Sequence, residues 1–489
     1  MDILFIQPWD RPWDDSGYVA RRRKMYLSRA QFEVGVQVPD KYSFGHLDLN
    51  LEVRAGKSVE DAVAEAVAEY RPRLVMLTMP VYVLGGQIGR IIGAIEKSVQ
   101  APPIILGGGE IALIHDLPLR LWPQITCCYN GFGAELPELI EACLSRRHPK
   151  IAGVYWRGES HRGTTRGAAF LIDGYSAEDF YTACGRLNFD QYLARIRAQN
   201  VQPMGIVEMT RGCSFRCDFC AINGARMGFH VRSPQTVVNE MRFLAERGID
   251  YLHIIDPTFG LDREAACALL QELAHFHAEQ PAVGIEILTR PELVTEPYAD
   301  ALKRAGIRRC AIGMETMEKQ DLGGVHKTLC PSKTEQAVYR LALRGIQTKL
   351  FHIVFPNRFS EATIAFFSEL SQDGVPFVIQ TSFLRQLPDR LSAHPFITQD
   401  QTVYVPRKDT PEQLMEWMLA NQAFPSMDLG DRGDAVLRKA IRTAMKRGKP
   451  LESLFSAKRE KREWTLRSGW GERYRYVHRG GFSVAQNMN

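Results

Sequence analysis

Residues Gly205 to Cys220 read GIVEMTRGCSFRCDFC, and this stretch decides the fold. A short apolar run with the character of a strand ends at Met209, and three cysteines follow it in a C-x3-C-x2-C pattern. In folds built of parallel strands and helices, the residues just beyond the carboxyl end of a strand form the functional edge. The sequence therefore predicts a strand that presents a loop of three thiols at such an edge.

The three thiols, Cys213, Cys217 and Cys220, indicate a site for a soft metal. Thiolates select zinc or iron–sulfur clusters, and a closed zinc site needs four protein ligands. His230 is the nearest candidate for a fourth ligand, so structural zinc stays open as one interpretation. A four-iron cluster bound by three cysteines instead leaves one iron able to bind a small molecule. The loop thus predicts a reactive cluster.

The cysteine loop opens a series of strands that alternate with helices. Hydrophobic periodicity predicts strands at 205–209, 251–255, 284–288, 309–313, 349–355 and 377–381, and helices at 234–247, 263–279, 296–305, 333–344 and 360–371. Six strands with five helices between them predict a partial barrel over residues 201–395.

A shorter series of the same kind precedes the barrel. It has predicted strands at 3–6, 74–79 and 104–106, helices at 58–70, 86–99 and 135–143, and glycine turns at 107–109 and 131–133. This order predicts an α/β domain of Rossmann type over residues 1–150. Residues 151–200 are expected to be an irregular connecting segment. Residues 396–489 are expected to be a mostly helical extension, with helices at 411–422 and 434–447, and a basic tail.

Composition and charge exclude several classes of protein. The chain is 45% hydrophobic and 24% charged, as in ordinary globular proteins, and its longest apolar stretch is too short to span a membrane. The N-terminus lacks the positive charge of a signal peptide, and ten cysteines without an export signal indicate reduced thiols. We therefore expect a cytoplasmic protein with no membrane partner. Between Arg438 and Arg479 the chain has fourteen Lys or Arg and four acids, typical of a solvated face or an anion-binding tail.

The cysteine loop resembles the cluster motif of the radical S-adenosylmethionine (SAM) superfamily. The resemblance implies that Cys213, Cys217 and Cys220 bind a 4Fe–4S cluster whose open iron chelates SAM, and that the backbone at Phe219 contacts the adenine. Later strand ends follow the family's order, at 256–259 near the methionine moiety, at 289–291, and at 313–316 near the ribose.

Within those strand ends, the resemblance implies cofactor-binding roles for Asp256, Thr258, Arg290 and Glu315. A carboxylate such as Glu315 at a strand end is suited to accept hydrogen bonds from ribose hydroxyls, although it is equally suited to an ion pair with an arginine of the barrel. Asp256 has two interpretations, because it would either orient the SAM amino group or cap the next helix. The fifth strand ends in 354–357, VFPN, and departs from the family's glycine-x-proline turn.

The first domain resembles the cobalamin-binding-like domain that precedes the barrel in one subgroup of the superfamily. The resemblance rests on the strand ends and glycine turns at 74–80, 104–110 and 131–136. The loop after the first strand, 8–17, contains no histidine to ligate cobalt, so bound cobalamin would lack a lower protein ligand. Candidates to line a corrin pocket are Trp9, Trp13, Tyr82 and Glu110. The sequence leaves open whether cobalamin binds.

The resemblance implies an enzyme that cleaves SAM reductively and abstracts hydrogen from a C–H bond of a small polar substrate, as in natural-product or antibiotic biosynthesis. The electron would come from an external flavodoxin or ferredoxin. With cobalamin the expected reaction is methylation of carbon or phosphorus, and without it a dehydration, epimerisation, rearrangement or oxidation. Two alternatives are a tRNA methylthiotransferase, for which the basic tail is the only support, and a non-catalytic iron–sulfur protein, which leaves Glu315 unexplained. Nucleic acid is otherwise not an expected partner.

Overall fold

The structure of the protein is a computed structural model, which describes several separate ranges of the chain. The described residues are 1–8, 24–79, 85–98, 100–109, 111, 118–119, 122–131, 135–157, 176–220, 222, 229–354, 360–383, 463–467, 473–479 and 482–487.

Six strands form the N-terminal sheet, in the order β3-β1-β4-β5-β6-β7. They are β1 (Ile3–Gln7), β3 (Phe44–Asp48), β4 (Leu74–Thr78), β5 (Ile104–Gly107), β6 (Cys127–Tyr129) and β7 (Val154–Trp156). All pairs are parallel except β6 with β7. The helices are α2 (Leu49–Arg54), α3 (Val59–Tyr70), α4 (Gly85–Glu96) and α5 (Leu136–Leu144). The Rossmann-type arrangement predicted from the sequence is confirmed.

Burial on both faces explains why the strands of this sheet are continuous apolar runs. Every residue of β1 and β4 is buried, and separate hydrophobic clusters cover the two faces of the sheet. A parallel sheet with helices on both faces requires this composition. Helix α3 begins after Ser58, whose hydroxyl accepts a hydrogen bond from the backbone N–H of Asp61 at 3.0 Å.

The second sheet is a curled half-barrel of parallel strands. Its strands are β2 (Lys24–Tyr26), β8 (Gln202–Val207), β11 (Tyr251–Ile254), β12 (Gly284–Thr289), β13 (Ile307–Glu315), β14 (Gln347–Val354) and β15 (Phe377–Phe383), paired in that order. The helices between them are α8 (Pro234–Glu246), α9 (Arg263–Glu279), α10 (Glu296–Arg304), α11 (Lys319–Gly324), α12 (Pro331–Leu343) and α13 (Glu361–Gln372). All six predicted barrel strands and the five predicted helices are present.

Strand β2 is an addition that the sequence analysis did not predict. It comes from the N-terminal part of the chain and pairs with β8, so that Met25 lies opposite Pro203. Helix α1 (Arg29–Gln37) follows it, and Phe32 of this helix packs into the hydrophobic core of the barrel. Three residues are too short a run for periodicity to reveal, which is why β2 was missed.

The prediction that residues 151–200 form an irregular connection is wrong. It contains β7 and two helices, α6 (Ala177–Arg186) and α7 (Phe189–Ala198). Ser176 and Asp179 form a capping box at the start of α6, and the rings of Phe180 and Phe189 pack against Phe243 of the barrel. The polar composition of the segment hid these helices, because only a narrow stripe of each is buried.

The C-terminal tail also differs from the prediction. Strands β16 (Glu463–Arg467), β17 (Arg473–Arg479) and β18 (Phe482–Asn487) form an antiparallel sheet, so the expected helical character does not hold for these residues. Alternation of aromatic and basic residues in β17 fits the two-residue period of a strand. The helices predicted at 411–422 and 434–447 lie outside the described residues. Among the described helices, none has the length and apolar character needed to cross a bilayer.

Candidate active site

The cysteine loop leaves the barrel at the carboxyl end of β8, as predicted. A short hairpin forms its base, in which β9 (Thr210–Arg211) pairs with β10 (His230–Val231). Cys217 is buried, whereas Cys213 and Cys220 are half-buried. The backbone N–H of Cys220 donates to the carbonyl of Cys217 at 3.2 Å, which closes a tight turn between these two thiols.

His230, the candidate for a fourth zinc ligand, lies in the hairpin opposite Arg211. Within the described residues, no group of three His, Cys, Asp or Glu side chains is placed to share one metal ion. A zinc site needs its ligands around one ion, whereas each thiolate of a cluster binds a different iron. Structural zinc and an iron–sulfur cluster both stay predictions from the sequence.

Two neighbouring residues at the end of β11 contact the cysteine loop. The hydroxyl of Thr258 lies 3.8 Å from the Cys213 sulfur. The carboxylate of Asp256 accepts hydrogen bonds from the Met209 N–H at 2.8 Å and the Thr210 hydroxyl at 2.7 Å. Asp256 is fully buried, and this burial raises its pKa to about 7.

Asp256 does not cap the helix after β11, so this one of its two interpretations is wrong. The N-cap of α9 is Asp262, whose side chain accepts from the backbone N–H of Ala265. Asp256 instead ties the first residues of the cysteine loop to the neighbouring strand. Its carboxylate thereby positions the loop on which the thiols lie.

Arg290, at the end of β12, lies against one thiol of the cysteine loop. Its Nη1 is 3.8 Å from the Cys217 sulfur, and its guanidinium stacks 3.8 Å from the centre of the Phe215 ring. It also donates to the Thr328 carbonyl at 3.0 Å. A cation held in this way stabilises negative charge on the sulfur and on anything the sulfur ligates.

Glu315 ends β13 and pairs with a lysine that the sequence analysis missed. The Lys327 Nζ lies 2.7 Å from Glu315 Oε1 and donates to the Gly313 carbonyl at 2.6 Å. The alternative of an ion pair therefore holds for Glu315, although the partner is not an arginine. Lys327 lies in a loop between two helices, and the search of strand ends in the sequence had no signal for it.

A buried network of charges lies beneath the cysteine loop. It joins the loop to α1 and α8 through Arg29, Glu33, Glu208, Arg211, Arg232 and Glu240. Arg211 Nε contacts both carboxylate oxygens of Glu208, at 2.8 and 2.9 Å. Three guanidinium and three carboxylate groups compensate one another, as buried charges must. The network was not predicted, because its members are far apart in the sequence.

The barrel interior contains a second polar group, centred on Glu286. Tyr251 donates to Glu286 Oε2 at 2.8 Å, and Arg309 lies 3.4 Å from the same oxygen. His253 is opposite Glu286 on β11, and burial lowers its pKa to about 4, so it is neutral near pH 7. His352 of β14 packs edge-on against Phe367 of α13, with ring centres 5.5 Å apart, and thus faces the helix layer.

The N-terminal sheet has the strand order beside which doubly wound folds bind their ligands. The strand order reverses at β1, between β3 and β4, and ligands bind at the carboxyl ends beside such a switch point. Gln7 ends β1 there, and its buried Oε1 has no hydrogen-bond partner in the described part of the chain. Trp9, Trp13, Tyr82 and Glu110 lie outside the described residues, as does most of the loop 8–17. An orphaned acceptor at this position is compatible with a ligand such as cobalamin.

Comparison with known proteins identifies the barrel. Residues 207–367 match the model of the radical SAM superfamily. Among curated proteins, an uncharacterized methyltransferase of Pyrococcus horikoshii is 25% identical over 335 residues, which cover 66% of this chain and 69% of the relative.

Two solved structures have a similar fold over most of the chain. TsrM, a radical SAM methyltransferase from Kitasatospora setae, aligns with a TM-score of 0.59 and 21% identity over 79% of this chain and 73% of its own. OxsB, a cobalamin-dependent SAM radical enzyme, aligns with a TM-score of 0.58 and 13% identity over 92% of this chain and 63% of its own. At these identities the two structures establish the fold of the half-barrel and of the domain before it.

Proposed function

We propose that this protein cleaves SAM at a 4Fe–4S cluster, because residues 207–367 match the radical SAM superfamily and the chain shares the fold of a cobalamin-dependent SAM radical enzyme. The resulting radical would abstract hydrogen from a C–H bond of a small polar substrate. One observation carries the proposal: the loop of Cys213, Cys217 and Cys220 lies beside Thr258 and Arg290, brought there by the two next strand ends. A small flavodoxin or ferredoxin is the proposed electron donor.

In this proposal Cys213, Cys217 and Cys220 ligate the cluster, which supplies one electron to SAM when it is bound. Arg290 balances the negative charge of the ligated sulfur at Cys217, from which its Nη1 is 3.8 Å away. Glu315 accepts hydrogen bonds from the ribose, with its carboxylate oriented by Lys327. Asp256 and Thr258 support the loop and the methionine end, and Phe219 lies half-buried next to Cys220, in the position proposed for adenine.

We propose methyl transfer through cobalamin as the reaction. The support is the unpartnered Gln7 Oε1 at the strand-order reversal of the N-terminal sheet, together with relatives that are named as methyltransferases or as cobalamin-dependent. The polar group around Glu286 in the barrel interior supports a substrate that itself carries polar groups.

The test is anaerobic reconstitution with iron and sulfide, followed by an absorption spectrum and an assay for 5′-deoxyadenosine from SAM with a reductant. Wild-type protein should take up about four irons and form 5′-deoxyadenosine, because three thiolates leave one iron open to SAM. Alanine at Cys213, Cys217 or Cys220 should abolish both. Cys267→Ala is the matched control, since Cys267 is exposed on α9 and should not affect either result. Full iron content and SAM cleavage in any of the three loop variants would refute the proposal.

A further inference from the structure

The loop between α11 and α12 packs against the cysteine loop. The Val325 carbonyl accepts a hydrogen bond from the Asp218 N–H at 3.0 Å, and His326 Nδ1 lies 2.7 Å from the Asp218 carboxylate. The Thr328 carbonyl accepts from Arg290. Contacts on both sides of Lys327 therefore bind this loop to the residue after Cys217 and to the arginine against its sulfur.

Lys327 points from this loop into the site and is almost completely buried. Its side chain is 4% exposed and that of Glu315 is 8% exposed, so water does little to screen their ion pair. Besides Glu315, Nζ contacts the Gly313 carbonyl at 2.6 Å. Gly313 leaves the space for this contact, because a Cβ atom there would come within 2.8 Å of Nζ and 3.0 Å of Glu315 Oε1.

The backbone of Glu315 shows that its position is imposed by its surroundings. Its φ is 63°, in the left-handed region that a residue with a Cβ atom rarely adopts. Such a conformation persists when neighbouring contacts determine it. In the described part of the chain, the charged group that contacts the Glu315 carboxylate is the Lys327 ammonium.

The loop 325–328 also places Lys327 beside the cysteine loop. His326 and Thr328, the residues on either side of Lys327, contact Asp218 and Arg290, and Arg290 Nη1 lies 3.8 Å from the Cys217 sulfur. Reduction of an iron–sulfur cluster adds negative charge, so a fixed cation nearby favours the reduced form and a carboxylate disfavours it. Arg290 was already part of the predicted site, but Lys327 was not.

We infer that Lys327 is a positioning residue of the SAM site that holds Glu315 at the strand end and, through its charge, stabilises the reduced cluster. The inference rests on the proposed function, because it assumes that Cys217 ligates a cluster. It assigns a role to a residue of the loop 325–328, which is outside the cysteine motif and the strand ends.

The test is a potentiometric titration of the reconstituted cluster without SAM, followed by paramagnetic resonance. Lys327→Met should lower the midpoint potential, and Glu315→Gln should raise it, because one removes a positive and the other a negative charge near Cys217. Lys327→Arg should keep a midpoint near the wild-type value. Lys333→Met is the matched control, since Lys333 is exposed on α12 and should leave the potential unchanged. In calorimetric titrations, SAM should bind more weakly to Lys327→Met than to wild type.

A charge effect shifts the midpoint potential in opposite directions in Lys327→Met and Glu315→Gln. A purely structural effect would shift it in the same direction in both variants. A midpoint for Lys327→Arg as low as that for Lys327→Met, or no shift in Lys327→Met, would overturn the inference. If Lys327→Met fails to fold, Glu315→Gln decides: a raised midpoint supports the inference and an unchanged or lowered one overturns it. A wild-type protein that takes up no cluster would contradict the proposed function, and this inference with it.

Discussion

Asp256 combines full burial with two hydrogen bonds to the start of the cysteine loop. Its oxygens accept from the Met209 N–H and the Thr210 hydroxyl, both of which favour the ionised form. Burial dominates, however, and raises the pKa of Asp256 to about 7. The carboxyl group is therefore held near the balance between its two protonation states at neutral pH. The residue that anchors the loop is for this reason also sensitive to pH.

This balance predicts how stability depends on pH. The folded protein keeps the Asp256 proton up to about pH 7, whereas the unfolded chain releases it near 3.8, the ordinary pKa of an aspartate carboxyl group. Unfolding therefore releases a proton between these values, and the contribution of Asp256 to the free energy of unfolding decreases as pH rises, by up to about 1.4 kcal/mol per pH unit. Asp256→Asn should remove this contribution.

Urea unfolding of wild type and Asp256→Asn at several pH values between 4 and 7 measures the difference in slope. Asp190→Asn is the control, because the Asp190 side chain is 76% exposed and should leave the slope unchanged. Equal slopes for wild type and Asp256→Asn would show that the pKa of Asp256 is not raised in the folded protein.

At the scale of secondary structure, α1 and α8 hold the cysteine loop through charges rather than through apolar contacts alone. Glu240 of α8 is completely buried and contacts Arg29 of α1 at 3.1 Å and Arg232 at 3.3 Å. Arg232 also donates to the Glu208 carbonyl at 2.8 Å, just before the loop. The hairpin under the thiols is thus connected to a helix from the N-terminal part of the chain.

Removal of the Glu240 carboxylate should destabilise the folded protein. Glu240→Ala takes away the partner of two buried guanidinium groups, and we expect the free energy of unfolding to fall by about 3–5 kcal/mol. Glu279→Ala is the matched control, because it removes an exposed ion pair between Arg242 of α8 and Glu279 of α9. The two side chains are 32% and 54% exposed, so the free energy of unfolding should fall by at most about 1 kcal/mol. Chemical denaturation measures both, and equal losses would show that the network contributes no more than a surface pair.

At the scale of the whole molecule, the chain passes between two sheets before either is complete. Strand β1 belongs to the N-terminal sheet, β2 adds to the edge of the barrel, and β3 returns to the first sheet. Helix α2, within the first domain, likewise contributes Leu51 to the hydrophobic core of the barrel. The two sheets therefore share buried residues, and we expect them to unfold together.

The N-terminal sheet leads to a prediction about cobalamin. The loop 8–17 has no histidine, and His46 of β3 is half-buried, with its ring 5.8 Å from that of Phe5 and 5.3 Å from that of Tyr192. Protein expressed with hydroxocobalamin should therefore retain a corrin whose cobalt has no protein imidazole ligand. Paramagnetic resonance of the cobalt(II) form should show no nitrogen splitting. Nitrogen splitting would refute this coordination, and protein without corrin would refute methylation through cobalamin.

Local pattern was enough to predict most of the elements around the site. The apolar runs of β11, β12 and β13, and the helices between them, follow periodicities that a few consecutive residues express. The cysteine loop is equally local, since all three thiols lie within eight residues of one another. The sequence by itself therefore determined the half-barrel, the edge that carries the site and the chemistry of its thiols.

Tertiary structure alone decided which distant residues meet at that edge. Lys327 reaches Glu315 across twelve positions, and Arg29 reaches Glu240 across more than two hundred. It also decided that Asp256 holds the cysteine loop and that His352 faces the helices. No periodicity carries such information, because the contacts depend on how strands and helices pack around one another. The chemistry of the site is local in the sequence, whereas its charges and its rigidity arise from the packing.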